Sequence, residues 1–384
     1  MSAPSKFTGL ILASGILKDD PTVVVLEALA PFSASVLSSD LMIVRDRFIY
    51  SLLIEMSPDH QEAIAEDLEK ITAAGEIDVA YEFSAFTPFS QNDRSSDLYE
   101  INLVAAKFSP ALLFEIASLF NKNGTLLDVN ITSRGISSVA RYIVRCSDAQ
   151  IDSLKGAIDE YSELHRIGSS LLAKDAKRYG NDCVLLDMDS TFINEEVIDI
   201  LAELAGLGSE VSAITERAMQ GELDFAQSLR ERVSLFAGKS SDILQSARDR
   251  ITLTNGAKEL VKVVQESGGR IGVVSGGFHD VIDEFLAPLK LDLIIANRFE
   301  IVDELFTGKI SGPIVDRERK AEVLREFSAG ANRSIAIGDG ANDAAMLEAA
   351  DIGIAFCAKP ALAKIADLNI YSRDLQEVLP LIGY

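Results

Sequence analysis

The chain has 384 residues, 48% of them hydrophobic, too long for one average domain and apolar enough to fill more than one core. A formal net charge of −23 and a pI near 4.5 argue against nucleic acid and membrane surfaces as partners, because both reward positive charge. An anionic ligand must therefore be held by local cations or a metal, against the overall field.

The first half reads as two similar units. In the first, FTGLILAS is strand-like and PTVVVLEALAPF forms a helix from Pro21. SASVLSSDLMIVRDRFIYSLLIEMS gives two strands with a turn near Arg45–Arg47. SPDHQEAIAEDLEKITAAG has a serine cap, a proline in its first turn and a terminal glycine, the marks of a helix, and EIDVAYEFS is again strand-like. A polar loop, TPFSQNDRSSD, spans 87–97. The order then repeats: LYEINLVAAKF is a strand, SPALLFEIASLFNKNG a helix, TLLDVNITS and SVARYIVRCS strands, and SDAQIDSLKGAIDEYSELH a helix. The closing strand is not evident in RIGSSLLAK. A β-α-β-β-α-β order repeating at roughly 90 residues predicts duplicated small α+β domains, at 1–88 and 97–175.

After AKDAKRYGND the character changes. CVLLDMD is a continuous apolar run, as in a strand buried on both faces of a parallel sheet. From about 195 to 257 the text is helical and charged. GRIGVVSGG, LDLIIANRFEIVD, RSIAIGDGAND and ADIGIAF then alternate with helices. The pattern predicts a doubly wound, Rossmann-like α/β domain over 180–384, with the helical block inserted as a cap after its first strand.

Ligands of such sheets bind beyond the carboxyl ends of the strands, and polar clusters gather there. Asp187 and Asp189 stand two apart at the end of VLLDMD, so in extended chain both face one spot. Taken alone, the pair fits either two solvated acids at a turn or a hard-cation site. In VVSGGF, Ser275, Gly276 and Gly277 fit an ordinary turn or an anion cradle of hydroxyl and N–H groups; His279 beside them reads as an exposed polar residue. AIGDGANDAAML crowds Asp339, Asn342 and Asp343 into one loop, more than a helix cap requires. Lys320, in VDRERKAEVL, starts a helix near the same edge. Jointly these are the parts phosphoryl transfer needs: a nucleophile, a metal, and donors for the equatorial oxygens. No GxxxxGK[ST] sequence is present.

DMDST, SGG, Lys320 and GDGAND match in order the four motifs of the haloacid dehalogenase superfamily of phosphotransferases, which this chain resembles from 187 to 343. DMDSTFINEEVID and LDFAQSLRERVSL further resemble its phosphoserine phosphatases, over about the last 200 residues. The resemblance implies Mg²⁺, an aspartyl-phosphate on Asp187, and Asp189 as general acid and then base. It implies that Asp187, the Asp189 carbonyl and Asp339 hold the metal, and that Ser275, Gly276 and Lys320 hold phosphate. Gly277, Asn342 and Asp343 complete these surroundings. In the cap, Glu196 would meet the ammonium of O-phospho-L-serine, Arg232 its carboxylate, and Met219 and Phe225 its apolar flank. The N-terminal repeats resemble ACT domains in element order, which implies a homodimer and an amino-acid effector such as L-serine; SGILKDDPT and AKFSPA depart from the glycine-bearing ligand loop of that family.

Cys146, Cys183 and Cys357 are far apart, without metal-type spacing, and read as reduced thiols of a cytoplasmic protein. MSAPSKFTGLILASG has no charged leader before a long apolar core, so no signal peptide is expected. Two rival readings remain at this point: a phosphatase or phosphotransferase for another small phosphomonoester, and an amino-acid sensor whose phosphatase half is inactive.

Overall fold

The computed structural model describes residues 6–17, 21–75, 77–86, 98–134, 137–173 and 180–384, so the polar loop expected at 87–97 lies outside the described residues. Cα packing divides the chain into two units, Met1–Arg94 and Ser95–Tyr384.

The first unit runs β1 (Lys6–Ile16), α1 (Pro21–Leu29), β2 (Ser35–Val44), β3 (Arg47–Glu55), α2 (Gln61–Ala73) and β4 (Ile77–Phe86). Its four strands form an antiparallel sheet in the order β2-β3-β1-β4. Period-two alternation sets its inner face: Phe48, Tyr50, Leu52 and Ile54 of β3 are buried, with Ile64 and Leu68 of α2 packed in the same core. Arg45, at φ +57, makes the turn between β2 and β3.

The second unit begins with the same motif: β5 (Leu98–Ala105), α3 (Pro110–Asn123), β6 (Thr125–Arg134), β7 (Ser137–Arg145), α4 (Asp148–His165) and β8 (Gly168–Ala173), in the sheet order β6-β7-β5-β8. The strand not evident in the sequence is β8, paired antiparallel with β5. Ser109 caps α3 by accepting from the Leu112 N–H at 3.2 Å.

The remainder is β9 (Cys183–Leu186), α5 (Val197–Ala205), α6 (Gly208–Met219), α7 (Phe225–Ser234), α8 (Ile243–Arg248), α9 (Ala257–Glu266), β10 (Arg270–Phe278), α10 (His279–Leu286), β11 (Leu293–Asn297), β12 (Phe299–Val302), β13 (Leu305–Ile310), α11 (Arg317–Phe327), β14 (Ser334–Gly338), α12 (Ala344–Ala349), β15 (Ile352–Phe356), α13 (Pro360–Ala363), β16 (Leu368–Ile370) and α14 (Val378–Leu381). Six parallel strands order as β11-β10-β9-β14-β15-β16. Every residue of β9 is buried: Val184 and Leu186 pack in one core, Leu185 in the other. Burial on both sheet faces is why that stretch is apolar without alternation. The strand order reverses between β9 and β14, which places the ligand crevice at their carboxyl ends.

Helices α5 to α8 form the insert after β9. Its neck is stitched by backbone bonds from Asn194 N–H to the Thr252 carbonyl and from Thr254 N–H to the Phe192 carbonyl, both 3.0 Å. One element differs from the sequence reading. LDLIIANRFEIVD, taken as a single strand-like run, splits into β11 of the sheet and β12, which makes a separate two-stranded hairpin with β13. Asp303 and Glu304 turn the hairpin with φ of +50 and +60, the left-handed pair that a two-residue turn requires. The hairpin braces the insert: Phe236 packs against Phe299 and Phe306, and the Gly238 N–H donates to the Phe306 carbonyl at 2.8 Å. Among the described residues no helix is long and apolar enough to cross a membrane.

Candidate active site

The site is built where β9 and β14 end. Asp187 follows β9 directly and is buried; its N–H donates to the Ile337 carbonyl of β14 at 2.8 Å, fixing it to the neighbouring strand. Its Oδ1 accepts from the Met188 N–H at 2.7 Å and lies 2.7 Å from Lys320 Nζ. Lys320 is 1% exposed and donates equally to Asp343 Oδ1 at 2.7 Å. A lysine buried this deeply persists only because two carboxylates compensate its desolvation. Asp343 is fully buried, with its second oxygen taken by the Gly340 N–H at 3.1 Å.

Asp189 differs from Asp187 in environment. Its Oδ1 is sealed from solvent with no hydrogen-bond partner. Burial first, then the charges of Glu196 and Asp187, raise its pKa well above the usual carboxylate range. Asp339 accepts from the Thr191 hydroxyl at 3.2 Å, and burial with the nearby Asp187 charge raises it to about 6. The same two causes take Asp343 to about 7. Asp187, Asp339 and Asp343 bring one oxygen each within 4.8 Å of one another. Asp343 has both oxygens firmly bonded within the protein, whereas Asp187 Oδ2 meets only a long contact of 3.5 Å from Asn342. Four aspartates around one lysine, three of them pushed toward neutrality, are what a hard divalent cation would relieve.

Ser275, at the β10 end, is buried, and its Oγ accepts from the Gly277 N–H at 2.8 Å. Both glycines leave little room for a side chain. A Cβ on Gly277 would come within 3.0 Å of Ser275 Oγ and 3.1 Å of Asp189 Oδ2; one on Gly276 would come within 2.9 Å of the Phe225 ring. Phe225 thus closes over the turn from the insert. Asn342 Nδ2 points to Asp187 Oδ2 at 3.5 Å. Glu196 is exposed and accepts from the Ser190 hydroxyl at 2.8 Å. Desolvation, then the charges of Asp187 and Asp339, raise its pKa against the lowering effect of that bond. Arg232, half-buried on α7, lies in the field of Asp199, Glu196 and Asp189. Met219 ends α6, and its side chain lies outside the described residues.

The structure therefore brings Asp187, Asp189, Ser275, Gly276, Gly277, Lys320, Asp339, Asn342 and Asp343 to one sheet edge, with Glu196, Phe225 and Arg232 presented from the insert. Sequence reasoning assigned no role to Thr191, which is buried and bonds Asp339, or to Asn297, which is buried and donates to the Gly276 carbonyl at 2.8 Å while accepting from the Val315 N–H at 2.9 Å. Thr191 sits beside the aspartate pair and could have been flagged by position; Asn297 carries no local signal. His279 holds Asp283 at 2.6 Å and accepts from the Ala296 N–H at 3.0 Å, a supporting role in the turn.

Residues 184–348 match the haloacid dehalogenase-like hydrolase family. Phosphoserine phosphatase SerB2 of Mycobacterium tuberculosis is 35% identical over 398 residues, covering 99% of this chain and 94% of that protein. This chain belongs to the phosphoserine phosphatase family. A haloacid dehalogenase family hydrolase from Salmonella enterica subsp. enterica serovar Typhi superposes with a TM-score of 0.65 at 28% identity, covering 74% of this chain and 98% of that one. A phosphoserine phosphatase solved as a phospho-aspartyl intermediate analogue matches with a TM-score of 0.50 at 41% identity, covering 52% of this chain and 98% of that one. Membership accounts for the order in which the polar clusters arrive at successive strand ends.

Proposed function

We propose that the chain hydrolyses O-phospho-L-serine to L-serine and phosphate, the final step in making serine, through a covalent intermediate on Asp187. The observation that carries this reading is the contrast between the two aspartates. Asp187 is oriented by Lys320 and the Met188 N–H, as a nucleophile must be. Asp189, half-buried with one oxygen sealed and unpartnered and with a raised pKa, is suited to keep a proton.

In the first step an Asp187 oxygen forms a bond to phosphorus as the bond to the serine oxygen breaks, and Asp189 gives its proton to that oxygen. In the second, water attacks phosphorus, Asp189 takes the water proton, and the Asp187–phosphorus bond breaks. Ser275, the Gly276 N–H and Lys320 offset charge on the equatorial oxygens, with Gly277, Asn342 and Asp343 around them. Asp187, Asp339 and the Asp189 carbonyl would hold Mg²⁺, which supplies further positive charge to the phosphoryl oxygens. Glu196 faces the substrate ammonium, Arg232 its carboxylate, and Phe225 and Met219 the apolar flank; closure of the insert excludes water.

The protein is read as cytoplasmic. The antiparallel N-terminal modules, at 1–88 and 97–175, are assigned as ACT-like domains that mediate homodimerisation and take an amino-acid effector such as L-serine. The open face of β2, with Val36, Met42 and Val44 exposed, supports a pairing role. Acid quench of the chain with phosphate-labelled phosphoserine tests the catalytic reading: label stays on the protein and maps to Asp187. Turnover falls by about three orders of magnitude or more in Asp187→Asn, as when a nucleophile is removed. Label elsewhere, or an active Asp187→Asn protein, contradicts it.

A further inference from the structure

Arg373 belongs to none of the motifs and has no part in the mechanism above, yet it reaches the catalytic loop. Its Nη2 donates to the Ser190 carbonyl at 3.1 Å across 183 positions of sequence. Ser190 is an unusual residue to leave untethered. It lies between Asp189 and Thr191 with φ +55, the left-handed region that non-glycine residues seldom occupy. Its N–H donates to the Glu195 carbonyl at 3.3 Å and its hydroxyl to Glu196 at 2.8 Å. Ser190 is thus the joint between the Asp187–Asp189 strand end and the carboxylate that faces the substrate ammonium, and Arg373 fixes that joint from outside.

The segment carrying Arg373 is itself anchored at two places. Leu375 N–H donates to the Asn255 carbonyl at 2.8 Å, next to Thr254, whose N–H bonds Phe192; this sews the segment to the neck of the insert. Glu377, buried, accepts from the hydroxyl of Ser137, the first residue of β7 in the second α+β module. A cavity of about 120 Å³ lies at this junction, lined by Ser137, Arg141 and Glu377 and by the apolar Val104, Val139 and Leu379, so the polar bond sits beside apolar packing between the module and the catalytic domain.

We propose that Arg373 is a positioning residue for substrate recognition, holding Ser190 and through it Glu196, and that the Ser137–Glu377 bond ties this element to the second α+β module. The proposal rests on the phosphoserine reading. Its consequence is selective: loss of the tether loosens the ammonium contact while the Asp187–Lys320–Asp343 cluster is untouched. Arg373 is exposed, so its truncation leaves the core intact.

The test is steady-state kinetics of the full chain with Mg²⁺ on phosphoserine and on phenyl phosphate, which has no ammonium. In Arg373→Ala, KM for phosphoserine rises on the order of tenfold at nearly constant kcat, as expected for a lost charge-assisted bond that orients a binding group, and kcat/KM for phenyl phosphate changes less than about twofold. Arg373→Lys, which keeps a charged donor, recovers part of the loss. Ser137→Ala shows the same pattern at smaller size. Equal losses on both esters, or no change in Arg373→Ala, overturn the positioning role; an unchanged Ser137→Ala overturns the tie to the second module. If the unmodified chain shows no preference for phosphoserine, the phosphoserine reading falls first and the proposal with it.

Discussion

On the sheet side of the active site the charged groups are buried and bonded to one another: Lys320 is 1% exposed, Asp343 0% and Asp187 3%, and two contacts of 2.7 Å join them. On the insert side Glu196 is exposed and Arg232 half-buried, and their links are one hydroxyl bond to Glu196, one long bond of 3.4 Å from Arg232 Nε to the Ser228 carbonyl, and the fields of nearby carboxylates. In the function proposed above, the first wall performs a reaction whose geometry does not vary and can be locked. The second must admit a substrate and close on it, so its charges stay open to solvent until the substrate supplies their partners. In that reading chemistry and selectivity fall on separate surfaces, and each is expected to be disturbed without the other.

The largest effect is expected at the locked wall. Lys320→Met leaves Asp187 and Asp343 buried without their cation, which costs about 3 kcal/mol of stability and abolishes turnover of any phosphomonoester. Thermal unfolding with a substrate panel checks this; a stable, active variant would break the contrast. Next comes the open wall. Arg232→Ala should lower kcat/KM for phosphoserine about 100-fold, from a lost charged contact of roughly 2–3 kcal/mol, and leave phenyl phosphate nearly unchanged with an unaltered melting temperature. Equal losses on both esters would place Arg232 in the chemistry instead.

The smallest effect lies outside both walls. Burial raises the pKa of Glu377 above 4.5, against the lowering effect of the Ser137 bond. Its ionisation then costs stability as pH climbs through the raised value, because the folded state holds the proton more tightly than the unfolded one. Glu377→Gln keeps an acceptor and removes that titration. The variant's melting temperature relative to the parent should rise with pH above about 4.5, by about 2 °C in total. A difference that shrinks with pH would contradict the sign.

The two walls also differ in how far the sequence reveals them. Asp187, Asp189 and Asp339 stand just past strand ends, Ser275 lies in the last part of β10 and Asp343 ends the turn after β14, so apolar runs passing into polar clusters expose them, and their convergence follows from parallel-sheet topology. Lys320 is visible as a residue but not as a buried one, since its burial depends on two carboxylates reached only in the fold. Glu196 and Arg232 look like the solvated face of a charged helix and gain meaning only from resemblance. The β12–β13 hairpin was hidden because its turn, Asp303–Glu304, lacks the glycine that usually marks such a conformation. Asn297 and Arg373 act through contacts distant in sequence, which leave no local pattern.

The most direct test of the account is phosphate release by the intact chain from O-phospho-L-serine, with Mg²⁺ and with a chelator, beside phenyl phosphate and other phosphomonoesters. The account predicts turnover that disappears on chelation, returns with Mg²⁺ and strongly favours phosphoserine. Metal-dependent activity spread evenly over the panel would keep the sheet-side chemistry and contradict the assignment of selectivity to Glu196 and Arg232. Turnover that persists without a divalent cation would contradict the reading of the aspartate cluster itself.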